Sequence, residues 1–147
     1  MNSENKKVKN ATALTVNGIS FKSTMEARVY RKLLDNGIVP EYEPDKVVLQ
    51  KGFKPSHIWF TDGKLQSSKV RDITYTPDFK FKYKGFTVYL EVKGFITDRY
   101  PLKRKMFLAS LESDFSDVVF AEVKTLSGLS RTLEQISELT KQPGYTG

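Results

Sequence analysis

Asp78, Glu91 and Lys93 are the side chains best placed to do chemistry, and all three fall in one stretch, Ile73 to Phe95 (ITYTPDFKFKYKGFTVYLEVKGF). Ile73, Tyr75, Phe79, Phe81 and Tyr83 share one parity, and Thr74, Thr76, Asp78, Lys80 and Lys82 share the other. Beyond a turn at Lys84-Gly85, Phe86, Val88, Leu90 and Val92 alternate with Thr87, Tyr89, Glu91 and Lys93. Alternation with period 2 predicts two paired strands, each with an apolar and a polar face. A turn centred between Lys84 and Gly85 sets Tyr83 opposite Phe86. The same register sets Asp78 opposite Glu91. Directly opposed Cβ atoms lie roughly 4.5–5.5 Å apart, where two carboxylates repel and invite a cation between them. Lys93 follows on the same face.

A third acid joins this set. Ser23 to Asn36 predicts a helix, with Ser23 as N-cap and Gly37 just past the end. At about 100° per residue Val29, Tyr30, Leu33 and Leu34 gather on one face, and Arg28, Arg31, Lys32 and Asp35 on the other. Glu26 falls near the middle of the apolar face, where an unpartnered carboxylate is costly to bury. Ser23-x-x-Glu26 fits a capping box, in which the glutamate reaches back to the N-cap amide. The other reading aims Glu26 at the cation between the strands, and its angular position favours that one. Asp and Glu are hard oxygen ligands suited to Mg²⁺ or Mn²⁺. A metal so held polarises a phosphate and lowers the pKa of a bound water. Lys93 could hold that water, deprotonate it or stabilise the developing charge, and the sequence leaves these three open.

The elements that must carry these residues are legible in outline. Thr15 to Phe21 predicts strand-turn-strand bent at Asn17-Gly18. Ile38 to Gln50 reads as extended, interrupted by Pro40 and Pro44, with a strand at 46–50 and with Glu41 and Glu43 as exposed edge charges. Lys51 to Arg71 is punctuated by Gly, Pro, Asp-Gly and Ser-Ser, with five Lys or Arg interleaved among Phe53, Trp59 and Phe60. That mixture suits phosphate contact and base stacking, or else a long hairpin that packs its aromatics on the sheet. Thr97 or Asp98 caps a helix to about Ser113, with Pro101 in its first turn and an apolar stripe of Leu102, Met106, Phe107 and Leu111. Its Lys103, Arg104 and Lys105 are placed to grip a phosphate backbone. Asp117 to Lys124 predicts a short buried strand, and Gly128 to Lys141 an amphipathic helix. This order implies an α/β sandwich with a central mixed β-sheet flanked by helices. The expected organisation is one domain over 13–141, with 51–71 as an insertion and flexible tails at 1–12 (basic) and 142–147.

Composition narrows the chemistry. Among 147 residues there is no cysteine, which excludes disulfides, thiolate zinc sites and a cysteine nucleophile. His57 is the only histidine, so histidine-metal nucleases and Ser-His-Asp hydrolases are disfavoured. No apolar run approaches the ~20 residues of a membrane span, and the polar start MNSENKKVKN lacks a signal-peptide core. A cytoplasmic protein without a membrane partner is the expectation. The formal net charge of +7 points to a polyanionic partner.

Pro77-Asp78 followed by Glu91-x-Lys93 resembles the PD-(D/E)XK motif of the restriction-endonuclease-like nuclease superfamily. FKSTMEARVYRKLLDNGIVPEYE with YTPDF and EVKG is similar to phage-type endonuclease I, the Holliday junction resolvase family. VNGISFKSTMEA, VRDITYTPDF and EVKGFITDRYPLKRKMF also resemble a related phage family of undefined role. The similarity runs from about Val16 to Lys124. It implies a restriction-endonuclease-like sandwich in which Glu26, Asp78, Glu91 and Lys93 are catalytic. Asp78, Glu91 and Glu26 would then hold Mg²⁺, with Mn²⁺ able to substitute. The implied reaction is hydrolysis of DNA phosphodiesters to leave a 5′-phosphate, carried out by a homodimer on branched DNA. Lys22, Lys69, Arg71, Lys80, Lys103, Arg104 and Lys105 are the expected DNA contacts. The 51–71 insertion and the C-terminal third depart from the junction enzyme; that departure bears on junction specificity and the swapped dimer and leaves the chemistry untouched. The alternatives are a duplex, flap or nicking endonuclease, an RNA-directed nuclease, and a catalytically degenerate DNA-binding module.

Overall fold

Asn17 and Gly18 have φ of 52° and 80°, the left-handed pair that a two-residue hairpin needs, and they join the first two strands. The structure is a computed structural model and describes residues 14–94 and 99–140. In chain order it has β1 (Thr15–Val16), β2 (Ile19–Ser20), α1 (Thr24–Asp35), β3 (Glu41–Tyr42), β4 (Val47–Gln50), β5 (Phe60–Thr61) and β6 (Lys64–Leu65). Then follow β7 (Ile73–Tyr75), β8 (Phe79–Tyr83), β9 (Phe86–Val92), α2 (Tyr100–Leu111), β10 (Val118–Val123) and α3 (Leu126–Leu139). The described residues divide into two compact units, 14–44 with 77–94 and 115–140, and 45–76 with 99–114.

The first unit is an α/β fold on a mixed four-stranded sheet of order β10-β9-β8-β3. Lys84 and Gly85 (φ 53° and 86°) turn β8 into β9 with Tyr83 opposite Phe86 and Phe79 opposite Leu90, the register the alternation predicts. β3 joins β8 antiparallel, and β10 joins β9 parallel. Phe79, Phe81, Phe86, Val88, Leu90 and Val92 form one buried core with Val29 and Leu33 of α1 and Leu129, Leu133 and Ile136 of α3. Each large side chain so buried contributes about 1.5–3 kcal/mol. Around Phe79, the rings of Phe21, Tyr30 and Tyr42 meet at centroid distances of 4.6–6.5 Å. That cluster ties β3 and the start of α1 to β8.

The second unit pairs β4 with β7, and Phe107 of α2 lies against Tyr75 at 5.0 Å. From its two strands a segment projects, closed at its root by hydrogen bonds between Phe53 and Val70 in both directions (2.9 and 2.7 Å). Gly52 is required there, because an added Cβ would lie 2.3 Å from the Val70 carbonyl oxygen. Within the segment, Asp62-Gly63 turns the short hairpin of β5 and β6.

Several expectations change. The stretch 73–83 is not one strand: it breaks at Thr76-Pro77-Asp78, and its halves pair in different units. Pro77 has no N–H to give a ladder, so pairing stops there. The strand predicted at 117–124 covers Val118–Val123, and it is an edge strand half-buried except at Val123, since β10 has a partner on one side only. The last helix begins at Leu126 rather than Gly128, because Thr125 caps it by accepting the Gly128 N–H at 3.0 Å. In α2, Arg99 holds the N-cap position without a side-chain cap bond. Leu102 is exposed while Phe107 is buried, being about 140° apart around the helix. Thr97, Asp98 and the two tails at 1–12 and 142–147 lie outside the described residues. Among those described, no helix is long and apolar enough to cross a membrane.

Candidate active site

Asp78 stands where β8 begins, one step beyond the Phe79–Leu90 pair, so the ladder carries it towards Glu91. Two backbone groups pin it. Its carbonyl accepts the Glu43 N–H at 2.8 Å, and its Oδ2 accepts the Val92 N–H at 2.7 Å. The residue is only 4% exposed. Burial, then the charge of Glu91, push its carboxyl up to about 8; the Val92 amide opposes this, and Glu26 adds to it by charge and hydrogen bond. Glu91 and Glu26 therefore both act on Asp78 electrostatically, as the paired strands and the helix position predict.

Glu26 caps its helix and also acts on Asp78. The capping box forms: Ser23 Oγ accepts the Glu26 N–H at 3.1 Å, and Glu26 Oε1 accepts the Ser23 N–H at 3.0 Å. The same buried carboxyl acts on Asp78, helping to hold its proton in place. Tyr42 supplies a further contact, its hydroxyl donating to Glu26 Oε1 at 3.1 Å and accepting the Lys22 N–H at 3.2 Å. Burial raises the Tyr42 pKa, the Lys22 amide opposes, and the Glu26 and Glu43 charges reinforce the rise, so the phenol stays a donor.

Lys22 reaches into this group from the other side. Its Nζ lies 2.9 Å from Glu43 Oε2 and 3.8 Å from Asp78 Oδ1. Partial burial lowers its pKa, and the hydrogen bond to Glu43 with the charges of Asp78, Glu43 and Glu26 outweighs that, leaving it raised. Glu43 holds a left-handed φ of 47°, uncommon for a non-glycine residue. Tyr42 and Glu43 are the residues the sequence does not disclose. Only the pairing of β3 with β8 brings them to Asp78, and Glu43, exposed as expected, is an ion-pair partner as well as an edge charge.

On the far side of Glu91 stands a second unforeseen acid. The parallel register sets Glu122 beside Glu91, and the Lys93 N–H donates to the Val123 carbonyl at 2.8 Å. Lys93 Nζ then lies 3.6 Å from Glu122 Oε1, with the two side chains 13% and 22% exposed. Lys93 and Glu122 line one end of a groove of about 830 Å³ between β10 and α3, with Lys124 and Arg131 further along.

Carboxylate oxygens are the donor type that a hard divalent cation takes. Glu91 and Glu26 each act on the Asp78 carboxyl, whose pKa is raised, and Lys22 stands close to Asp78 as a positive charge, mostly exposed on a flexible stem. Among the described residues no three or more His, Cys, Asp or Glu side chains stand as a group that could hold a metal ion. The sequence profile of DUF1064, described as a protein of unknown function, matches residues 6–145. The chain belongs to that family. No curated protein matches it. In this DUF1064 member the expected phosphate contacts fall in both units. Lys22 and Lys80 lie in the first, where Lys80 sits 5.6 Å over the Tyr89 ring. Lys69, Arg71, Lys103, Arg104 and Lys105 lie in the second, where Arg104 stacks over Tyr100.

Proposed function

We propose that this DUF1064 protein is a metal-dependent endonuclease of restriction-endonuclease-like type that hydrolyses DNA phosphodiesters. The observation that carries the reading is Asp78, buried beside Glu91 and Glu26 with its carboxyl pushed up to about 8. A site that crowds carboxyls until one resists ionising is short of positive charge. Asp78, Glu91 and Glu26 would hold Mg²⁺ or Mn²⁺, which when bound polarises the phosphate and makes a water nucleophilic at neutral pH. The residues of the chain do the rest. Val92 N–H fixes Asp78 Oδ2, and Ser23 and Tyr42 fix Glu26. Lys93 offers its ammonium on the Glu91 face, where negative charge grows on the phosphate. Branched DNA such as a Holliday junction is the leading substrate, cut by two copies acting on two strands.

The test offers a four-way junction, a flap, linear duplex and the junction in RNA, each with Mg²⁺ and with EDTA. Wild type is expected to cut DNA only with metal, leaving 5′-phosphates. Asp78→Ala and Glu91→Ala should each lose about 100-fold or more in rate while still melting cooperatively. If both variants cut as fast as wild type, the site is wrong. Salt-sensitive DNA binding without metal-dependent product at any enzyme concentration would make the protein a binding module instead.

A further inference from the structure

We propose that residues 53–70 form an arm that binds unpaired bases of a nucleic acid, with Trp59 and Phe60 as stacking surfaces and Lys46, Lys69 and Arg71 holding phosphates at its root. The inference deepens the nuclease reading and rests on it for the choice of nucleic acid over other polyanions.

Its first support is exposure. The sequence leaves open whether the aromatics of this stretch pack on the sheet, and they do not: Ile58 is 79% exposed, Trp59 43% and Phe60 61%, with Phe53 and Leu65 also exposed. Consecutive strand residues point to opposite sides, so the β5–β6 hairpin carries an aromatic on each face. Trp59 shares its face with Thr61, Lys64 and Gln66, all able to donate; Phe60 shares the other with Leu65. A blade with rings on both faces has no face left to bury within its own unit. It is shaped instead to enter between strands that part, taking a base on either side.

The second support is that the arm is held at its root and free at its tip. Phe53 and Val70 close the root, the Gly52 N–H donates to Asp72 Oδ1 at 2.6 Å, and Gly52 makes room for the Val70 carbonyl. A groove of about 500 Å³ lies beside it, lined by Lys46, Lys69, Arg71, Asp72 and Thr74. Three cations stand there against one carboxylate that already accepts the Gly52 amide. Over 51–72 five Lys or Arg face Asp62 and Asp72 alone, which suits a polyanion. Exposed rings beside a basic groove are the recurring design for single strands, because every base has a π-face.

Trp59 is the only tryptophan, so its fluorescence reports the arm directly. The full chain is titrated in EDTA, where no metal-dependent cleavage occurs, with a single-stranded DNA, the same strand in RNA, a forked duplex and a blunt duplex. Single strands and the fork are expected to quench Trp59, and the blunt duplex to leave it unchanged. Trp59→Ala and Phe60→Ala should each weaken single-strand binding roughly ten-fold, the size of one lost base stack, with blunt-duplex affinity within about two-fold. Lys69→Ala should weaken every nucleic acid and reduce the salt dependence. DNA against RNA in the first two arms identifies the source of the strand. The proposal is overturned if Trp59 is not quenched by any single strand, or if both alanine variants bind like wild type. It also falls if sedimentation shows Trp59 and Phe60 buried between two copies. Cleavage without quenching would remove this proposal alone, and quenching without cleavage would remove the nuclease reading alone.

Discussion

At Asp78 burial and two neighbouring carboxyls act against ionisation while the Val92 amide favours it, and burial leads. The sign of the pH dependence follows. Unfolded, the group ionises near its ordinary 3.8; folded, it holds its proton up to about 8. Between those values the native state binds more protons than the unfolded state, so this residue's contribution to stability falls as pH rises. In EDTA, wild type should therefore lose melting temperature relative to Asp78→Asn from about pH 4 to about pH 8. Mg²⁺ should stabilise wild type more at pH 8 than at pH 5 and do little for the variant. Calorimetry across that window checks both, and a parallel course for the two proteins would count against the site. Glu122 raises a different question at the same scale. It stands 3.6 Å from Lys93 and is itself placed by strand register, so in the proposed enzyme it would position the ammonium. Glu122→Gln should cost roughly 10–100-fold in turnover, the range for losing an orienting partner, with KM and Mn²⁺ affinity nearly unchanged. Glu122→Asp should recover part of the loss. A variant that instead melts early with every parameter altered would indicate a purely structural residue.

Among the elements, α1 and the hairpin of β8 and β9 do most of the positioning. Ser23 caps α1 and also tethers the carboxylate that meets Asp78, so a helix-end device doubles as part of the site. Phe79 and its ring neighbours hold β3 against β8, and through them Tyr42 reaches Glu26. The arm of the second unit depends on a close backbone approach. In Gly52→Ala the new Cβ would meet Val70 O at 2.3 Å and backbone atoms of Arg71 and Asp72 at 2.9 Å, none of which can rotate away. Overpacking of this kind costs about 1–3 kcal/mol. Hydrogen exchange should show the loss at the Phe53 and Val70 amides, with the Asp78–Val92 bond in the other unit still protected. Uniform loosening of both units would refute that localisation.

For the molecule as a whole, the +7 charge is the property that should govern affinity. If phosphates are the partner, DNA affinity should fall roughly ten-fold or more between about 50 and 200 mM salt, and a flat response would exclude that mode of binding. The chain passes between its two units at Pro44–Asp45, at Thr76–Pro77, and twice more, once on either side of α2, the last time at Asp114–Phe115. Prolines mark the first two of these, since a residue without an N–H suits the end of a ladder.

Alone, the sequence determined whatever is local. Period-2 alternation and the Lys84-Gly85 turn specified the register that sends Asp78 to Glu91, because a slip of one residue would turn every apolar side chain of β8 to the wrong face. Ser23, Glu26 and Gly37 likewise bounded α1 through cap chemistry that acts within a single turn. Tertiary structure decided what depends on residues distant in the chain. Glu122 enters the site only through the parallel pairing of β9 with β10, Glu43 and Tyr42 only through β3, and no local pattern encodes either pairing. It also decided the choices that local pattern left balanced. Glu26 caps its helix and meets Asp78 together, and the aromatics of the arm face outward, because whether a ring is buried depends on what other segments arrive to cover it.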